Sequence, residues 1–281
     1  MVYSIIYKAV FELEEKGLGF IGAGNMAGAI INGIVGTKTF PAQKIYVYDI
    51  NTEKSEALKK KAGIQSVPSL DELVKNCSIL FLAVKPQNFS EVLADLKPFV
   101  NDRILFVSIA AGISTSYITR ELGCNCPVIR TMPNTPLLVG KGATAMCKTA
   151  NVADEDFQLV QSLFAACGTV TVLDEKQMNA VISVNSSSPA YVYLFAKAMM
   201  DSAVKQGIDA ATALELICQT FEGSAEMLRQ PGLTPESLIK MVSSPGGTTL
   251  KALDVFYAHH FEGIVDEAMK ACTKRAEELG K

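Results

Sequence analysis

The chain has 281 residues, 49% of them hydrophobic and 20% charged, with a formal net charge of −3 and no long block of Lys or Arg. That length holds one large domain or two ordinary ones, each with a substantial core. The mixed charge argues against nucleic acid or an anionic membrane surface as the main partner, and no apolar run approaches the ~20 residues that span a bilayer.

The first stretch, MVYSIIYKAVFELEEKG, lacks a basic start and carries acidic residues where a signal peptide would be cleaved. Residues 1–17 therefore read as an N-terminal extension. From Leu18 to Asp174, short β-branched runs alternate with helical segments. The predicted strands are 18–22, 44–49, 78–84, 104–110, 128–132, 143–147 and 170–173, several of them apolar throughout, as strands covered on both faces should be. Ser69-Leu-Asp-Glu72 has the spacing of a capping box, and Asp154 precedes an amphipathic run that ends near Ala166. The alternation predicts a doubly wound, mainly parallel sheet over residues 18–174.

After Asp174 the strand pattern stops. Residues 175–206 predict one long helix whose middle (Tyr191, Val192, Leu194, Phe195, Met199) is apolar on every side and so should be buried. Residues 210–229 form a second helix, Thr234-Pro235 reads as N-cap and first residue of a short third one, and Phe261–Leu279 forms the last. Within this helical half, Ser243-Ser244-Pro245-Gly246-Gly247-Thr248-Thr249 is a turn that bares backbone and opens into another helix. The tandem His259-His260 reads as a helix boundary with no catalytic role. Seven scattered cysteines in a chain without a secretory signal predict free thiols in the reducing cytoplasm. Cys124-Asn-Cys126 has no second pair and no nearby His, which argues against zinc.

The motif Gly22-Ala23-Gly24-Asn25-Met26-Ala27 lies between the first strand and a helix. There the first glycine allows the tight turn and the second lets backbone approach a pyrophosphate. A small third residue packs helix on strand, and the helix N-terminus offers N–H groups to phosphate. Asp49 closes the second strand, where an acid grips the ribose 2′-OH; with no Arg among Ile50–Lys54, the cofactor is NADPH or NADH with a lean to NADH. Three further loops end on the same sheet edge: Ala83-Val84-Lys85-Pro86-Gln87, the loop after Ala110, and Met132-Pro133-Asn134-Thr135-Pro136.

The ordered series GFIGAGNMAGAI, AVKPQ, SIAAGIS, VIRTMPNTP, SSPAY and SPGGTT resembles pyrroline-5-carboxylate reductases, from Leu18 to the C-terminus. The resemblance implies a Rossmann-type domain (18–174) followed by an all-α substrate-binding and dimerisation domain (175–281), with dimers that can assemble into rings. It implies hydride transfer from NAD(P)H to the C=N carbon of 1-pyrroline-5-carboxylate, giving L-proline. Its implied cofactor residues include Asn25, Met26, Ala83, Val84, Lys85, Pro86, Ala110 and Asn134, beside the two glycines and Asp49. Ser244, Gly246, Gly247 and Thr248 would cradle the substrate carboxylate, and Thr249 would hydrogen-bond the ring nitrogen and relay a proton. Two departures stand out: Ala27-Gly28 at the usual third glycine, and Asn185-Ser186-Ser187-Ser188 where the family is glycine-rich. A 3-hydroxy-acid or 6-phosphogluconate-type dehydrogenase, with Lys176 as base and Asn179 beside it, is the nearest alternative. A non-catalytic dinucleotide sensor is a third reading, and it gives no reason for SPGGTT.

Overall fold

The computed structural model describes residues 17–280, so the expected N-terminal extension lies outside the described residues except for Gly17. Two compact units emerge. One comprises the described residues up to Ser187 together with 272–280; the other is Ser188–Ala271.

In the first unit the apolar runs become strands β1 (Gly17–Ile21), β2 (Ile45–Tyr48), β3 (Gln65–Ser66), β4 (Cys77–Leu82), β5 (Leu105–Ser108), β6 (Val128–Met132), β7 (Gly142–Lys148) and β8 (Gly168–Val172). They form one sheet in the order β3-β2-β1-β4-β5-β6-β7-β8. The first six run parallel, β7 is antiparallel to β6, and β8 is parallel to β7. β3 was not foreseen, because two polar residues carry no readable period.

Between the strands lie α1 (Asn25–Gly36), α2 (Thr52–Ala62), α3 (Leu70–Asn76), α4 (Phe89–Leu96), α5 (Thr115–Leu122) and α6 (Asp154–Ala165). Local chemistry sets their starts. Ser69 Oγ accepts the Glu72 N–H at 3.2 Å, Ser114 Oγ accepts that of Tyr117 at 3.1 Å, and Asp154, Glu155 and Asp156 face the positive end of α6. The sheet buries a separate cluster on each face. Phe20 and Phe81 stack at 4.3 Å and join Ile30, Ile31, Ile34 and Phe164 on one face, while Leu80, Leu82 and Phe106 join Leu73, Leu93 and Ile118 on the other. Neighbours in β4 thus point to opposite faces, the period of two that marks a strand covered on both sides.

The predicted long helix over 175–206 is broken. A 3₁₀ turn spans Glu175–Gln177 and a π-turn spans Ile182–Ser186 before α7 (Ser188–Lys205) begins. Pro189 at the head of α7, which has no N–H and crowds the preceding turn, accounts for the break just before α7. The second unit then contains α8 (Ala210–Leu228), α9 (Pro235–Met241), α10 (Thr248–Ala258) and the first part of α11 (Phe261–Leu279). Thr234 caps α9 through a reciprocal pair with Ser237, and the histidines end α10, His260 with φ 52°. Phe195 links Phe221 and Phe256, which in turn meets Phe261 edge-on.

The burial predicted for α7 is not reached: Tyr193 is 61% and Leu194 69% exposed, with Tyr191, Val192 and Phe195 also open. One chain lacks the helices to cover all sides of such an apolar rod. Among the described residues no helix is long and apolar enough to cross a membrane.

Candidate active site

The six parallel strands point their C-terminal ends at one edge, and the order reverses between β1 and β4. Open α/β sheets bind ligands at that switch point. A cleft of about 400 Å³ lies there, lined by Ile21, Gly22 and Gly24 after β1, by Tyr48, Asp49, Asn51 and Lys54 around the end of β2, and by Ala83, Val84 and Lys85 after β4.

Each predicted residue of the first turn has a local reason. Gly22 has φ 104°, and a Cβ there would stand 2.6 Å from the Ala83 carbonyl oxygen, so only glycine fits. Its N–H donates to the Tyr48 carbonyl at 2.7 Å. Gly24 is extended and acts as N-cap of α1, with no side-chain cap and no acid in the first turn. A Cβ on Gly24 would meet nothing within 4 Å. The glycine therefore leaves an open cradle beside free helix N–H groups, and a dinucleotide pyrophosphate fits such a cradle. Asn25 and Met26 form the first turn of that helix. Ala27 is buried without difficulty, and the tight approach occurs nearly two turns later, at Gly33 against Cys167.

Asp49 is tied to this turn. Its Oδ2 accepts the Ala23 N–H at 2.7 Å and its Oδ1 that of Asn51 at 2.8 Å, so the carboxylate joins the ends of β1 and β2. One lone pair on each oxygen remains for a diol. Lys54, Glu91 and Asp95 also line the cleft, and the motif reading had missed them in this role. Lys54 and Glu91 belong to the first turns of helices that follow strands, which is the signal that finds them. Pro86 opens a short 3₁₀ turn just beyond Lys85. Ala110 and Asn134 follow β5 and β6 on the same sheet edge, outside the residues that line the cleft.

Sequence reading also missed Arg130. It lies in the middle of β6, 3% exposed, with Nη2 donating to Asn179 Oδ1 at 2.6 Å and Nη1 3.8 Å from Glu175 Oε1. Glu175 in turn accepts the Thr115 N–H at 2.8 Å and its hydroxyl at 2.7 Å, at the start of α5. Burial lowers the Arg130 pKa, and Glu175 opposes that shift. A lone Arg inside a strand covered on both faces was the available signal, since a buried cation needs a partner. The network bears on the dehydrogenase alternative: its Asn179 serves Arg130, and its Lys176 is exposed and paired with Asp174 at 3.1 Å.

In the second unit, the SPGGTT turn is held by the Gly247 N–H donating to the Ser244 carbonyl at 2.9 Å. Gly246 has φ 74°, and a Cβ on Gly247 would stand 2.6 Å from Ser244 Oγ. Gly247 is the N-cap of α10, again with no side-chain cap and no acid in the first turn. Thr248 and Thr249 are the first two helical residues, so their N–H groups have no intrahelical acceptor.

Comparison with known proteins agrees with both halves. Residues 175–279 match the family model for pyrroline-5-carboxylate reductase dimerisation, and residues 17–112 match that for coenzyme F420-dependent NADP oxidoreductases. The pyrroline-5-carboxylate reductase of Escherichia coli is 39% identical over 95% of this chain and 99% of its own; that of Haemophilus influenzae is 39% identical over 95% and 98%. Among solved structures, the Plasmodium falciparum pyrroline carboxylate reductase with NADP bound superposes with a TM-score of 0.88 at 30% identity, over 95% of this chain and 99% of that one. With relatives of this identity along nearly its whole length, the chain belongs to the pyrroline-5-carboxylate reductase family.

Proposed function

We propose a division of labour for the family's reaction, in which this enzyme reduces 1-pyrroline-5-carboxylate to L-proline. The first unit holds the cofactor. Gly22, Gly24, Asn25 and Met26 receive the pyrophosphate, Asp49 the adenosine ribose, and Ala83, Val84, Lys85 and Pro86 the opposite wall of the cleft. Ala110 and Asn134 enter through their place on the sheet edge. The reduced nicotinamide supplies the hydride.

The second unit holds the substrate. Its single carboxylate suits the amides of Gly246 and Thr248 beside Ser244, at the positive end of α10, where Gly247, its own N–H held by Ser244, keeps the approach free of a side chain. The Thr249 hydroxyl bonds the ring nitrogen and delivers a proton there. A protonated cyclic imine is already electrophilic, so the protein acts by orientation rather than by a strong acid. The observation that carries this reading is the second uncapped, glycine-led helix start within a helical unit. The exposed apolar face of α7 pairs with a second copy, and such dimers can build rings. The free thiols fit a reducing cytoplasm.

NADH is the preferred cofactor in this reading. The cleft carries the carboxylates of Asp49, Glu91 and Asp95 against the ammonium groups of Lys54 and Lys85, and a 2′-phosphate would meet Asp49 directly. Steady-state reduction of pyrroline-5-carboxylate with each cofactor tests this. The expected kcat/KM is higher for NADH, and Asp49→Asn should move the ratio about tenfold towards NADPH. Equal or higher wild-type efficiency with NADPH would overturn the preference. Turnover of 3-hydroxy acids in place of the imine would overturn the substrate assignment.

A further inference from the structure

The loop between β5 and α5, residues 109–114, is gripped at two points by segments from far along the chain. Ala110 and Ile113 are buried. Gly112 has φ 82°, and a Cβ there would stand 2.3 Å from the Ala276 carbonyl oxygen near the end of α11. Just beyond the loop, the Glu175 carboxylate takes both donors of Thr115, the N–H on Oε1 at 2.8 Å and the hydroxyl on Oε2 at 2.7 Å.

Glu175 thus occupies the start of α5 as a bound anion would. Thr115 is the first helical residue, whose N–H has no intrahelical acceptor, while Ser114 Oγ caps the Tyr117 N–H. This helix start follows a strand on the same sheet edge as that of α1. It is closed by the chain's own carboxylate, where Gly24 leaves an open cradle. Behind Glu175 stands Arg130, opposite Ser108 in the sheet and so two residues short of Ala110. It gives the carboxylate a buried counter-charge at 3.8 Å, and Asn179 accepts from its other terminal nitrogen at 2.6 Å. The series Arg130, Glu175, Thr115 therefore runs from the middle of the sheet to the loop that follows β5.

The cofactor placement proposed above puts the adenosine ribose at Asp49, beyond β2, and the pyrophosphate at the β1 turn. The rest of a dinucleotide then extends over the ends of β4, β5 and β6, with the loop after β5 at its nicotinamide end. Given that placement, we propose that Glu175 is a positioning residue for hydride transfer. Through Thr115, and with Arg130 as its counter-charge, it fixes the 109–114 loop beside the nicotinamide. A misplacement on the order of 1 Å costs about a hundredfold in such a step, while the adenosine end, built on Gly22 and Asp49, stays untouched.

The test uses the full-length enzyme with Glu175→Ala, Glu175→Gln and Thr115→Val. In the cofactor-free protein, amide hydrogen exchange of residues 110–118 should speed up about tenfold in Glu175→Ala, with residues 22–36 unchanged. In single turnovers of enzyme-bound NADH with pyrroline-5-carboxylate, the rate constant should fall about tenfold at full amplitude. Affinity for ADP-ribose, which lacks the nicotinamide, should stay within about twofold. Glu175→Gln keeps an acceptor for the Thr115 N–H and should recover part of the rate.

A lowered amplitude at an unchanged rate constant would mean a folding defect alone and would overturn the proposal. A larger loss of ADP-ribose affinity, or equal rate losses in Glu175→Gln and Glu175→Ala, would overturn it too. Should Glu175→Ala prove insoluble, Thr115→Val, which removes one of the two bonds, must lower the single-turnover rate constant; an unchanged value there overturns the proposal. A wild type that leaves the imine unreduced with NADH and with NADPH would overturn the proposed function itself. An active wild type whose variants keep its rate constant overturns only the positioning role.

Discussion

The two glycine-led helix starts are alike at the backbone and differ in what surrounds them. Gly24 and Gly247 are both extended N-caps without a side-chain cap, ahead of helices with no acid in the first turn. The turn before α1 is wedged into the sheet, with Gly22 against Ala83, its N–H on Tyr48, and Asp49 closing it from β2. The turn before α10 is held by Gly247 on Ser244 and by Ser243, whose N–H and hydroxyl donate to the Lys240 and Ile239 carbonyls at the end of α9. The same anion-binding physics thus serves one start built on a sheet and another built between helices.

Breaking the turn built on the sheet should strike cofactor binding first. Gly22→Ala places a Cβ at positive φ and 2.6 Å from a backbone carbonyl, at a cost of about 1–3 kcal/mol in strain alone. We expect cofactor affinity, measured by fluorescence titration with NADH, to fall by more than tenfold. An unchanged affinity would mean that the wedge is unnecessary. The turn before α10 should respond differently. Thr249→Ala is expected to lower kcat by about ten- to a hundredfold and leave the NADH affinity nearly unchanged. Loss of NADH binding instead would remove Thr249 from the substrate site.

The smallest effect separates the units by their thiols. Burial pushes Cys147 and Cys167 of the first unit up to about 11 and Cys126 up to about 12, from an ordinary value near 9. Cys218 of the second unit is exposed. With folded values raised, these protons stabilise the fold fully below pH 9, and the contribution is lost as pH rises through 11 to 12. Thermal unfolding should show a decline across that window that Cys147→Ala reduces, and the midpoint should not rise with pH there.

What the sequence revealed and what it hid divide along physical lines. The Gly22–Asp49 site is legible because a strand, a turn and a helix are consecutive, and each residue type answers to a local requirement. The capping Ser69 and the Thr234-Pro235 start are legible for the same reason. The pairing of Arg130 with Glu175, and of Asn134 with Asn185, is invisible because the partners stand 45 and 51 residues apart, and no period links such pairs. The exposed face of α7 shows a third limit. Its composition predicts a buried helix and the structure leaves it exposed, because composition does not say whether a covering surface lies in the same chain.

The route of the chain has a consequence for its birth. The first unit is completed only by residues 272–280, where Gly280 packs so closely on the Gly112 carbonyl that a Cβ would stand 2.3 Å away. During synthesis the sheet is therefore complete at β8, yet its unit lacks this packing segment while the whole second unit emerges. Domains ordinarily fold in the order they are made; here the later one can mature while the earlier still lacks its last piece. A chain stopped before Cys272 would carry every strand of the sheet and leave the Gly112 loop without the segment that packs on it.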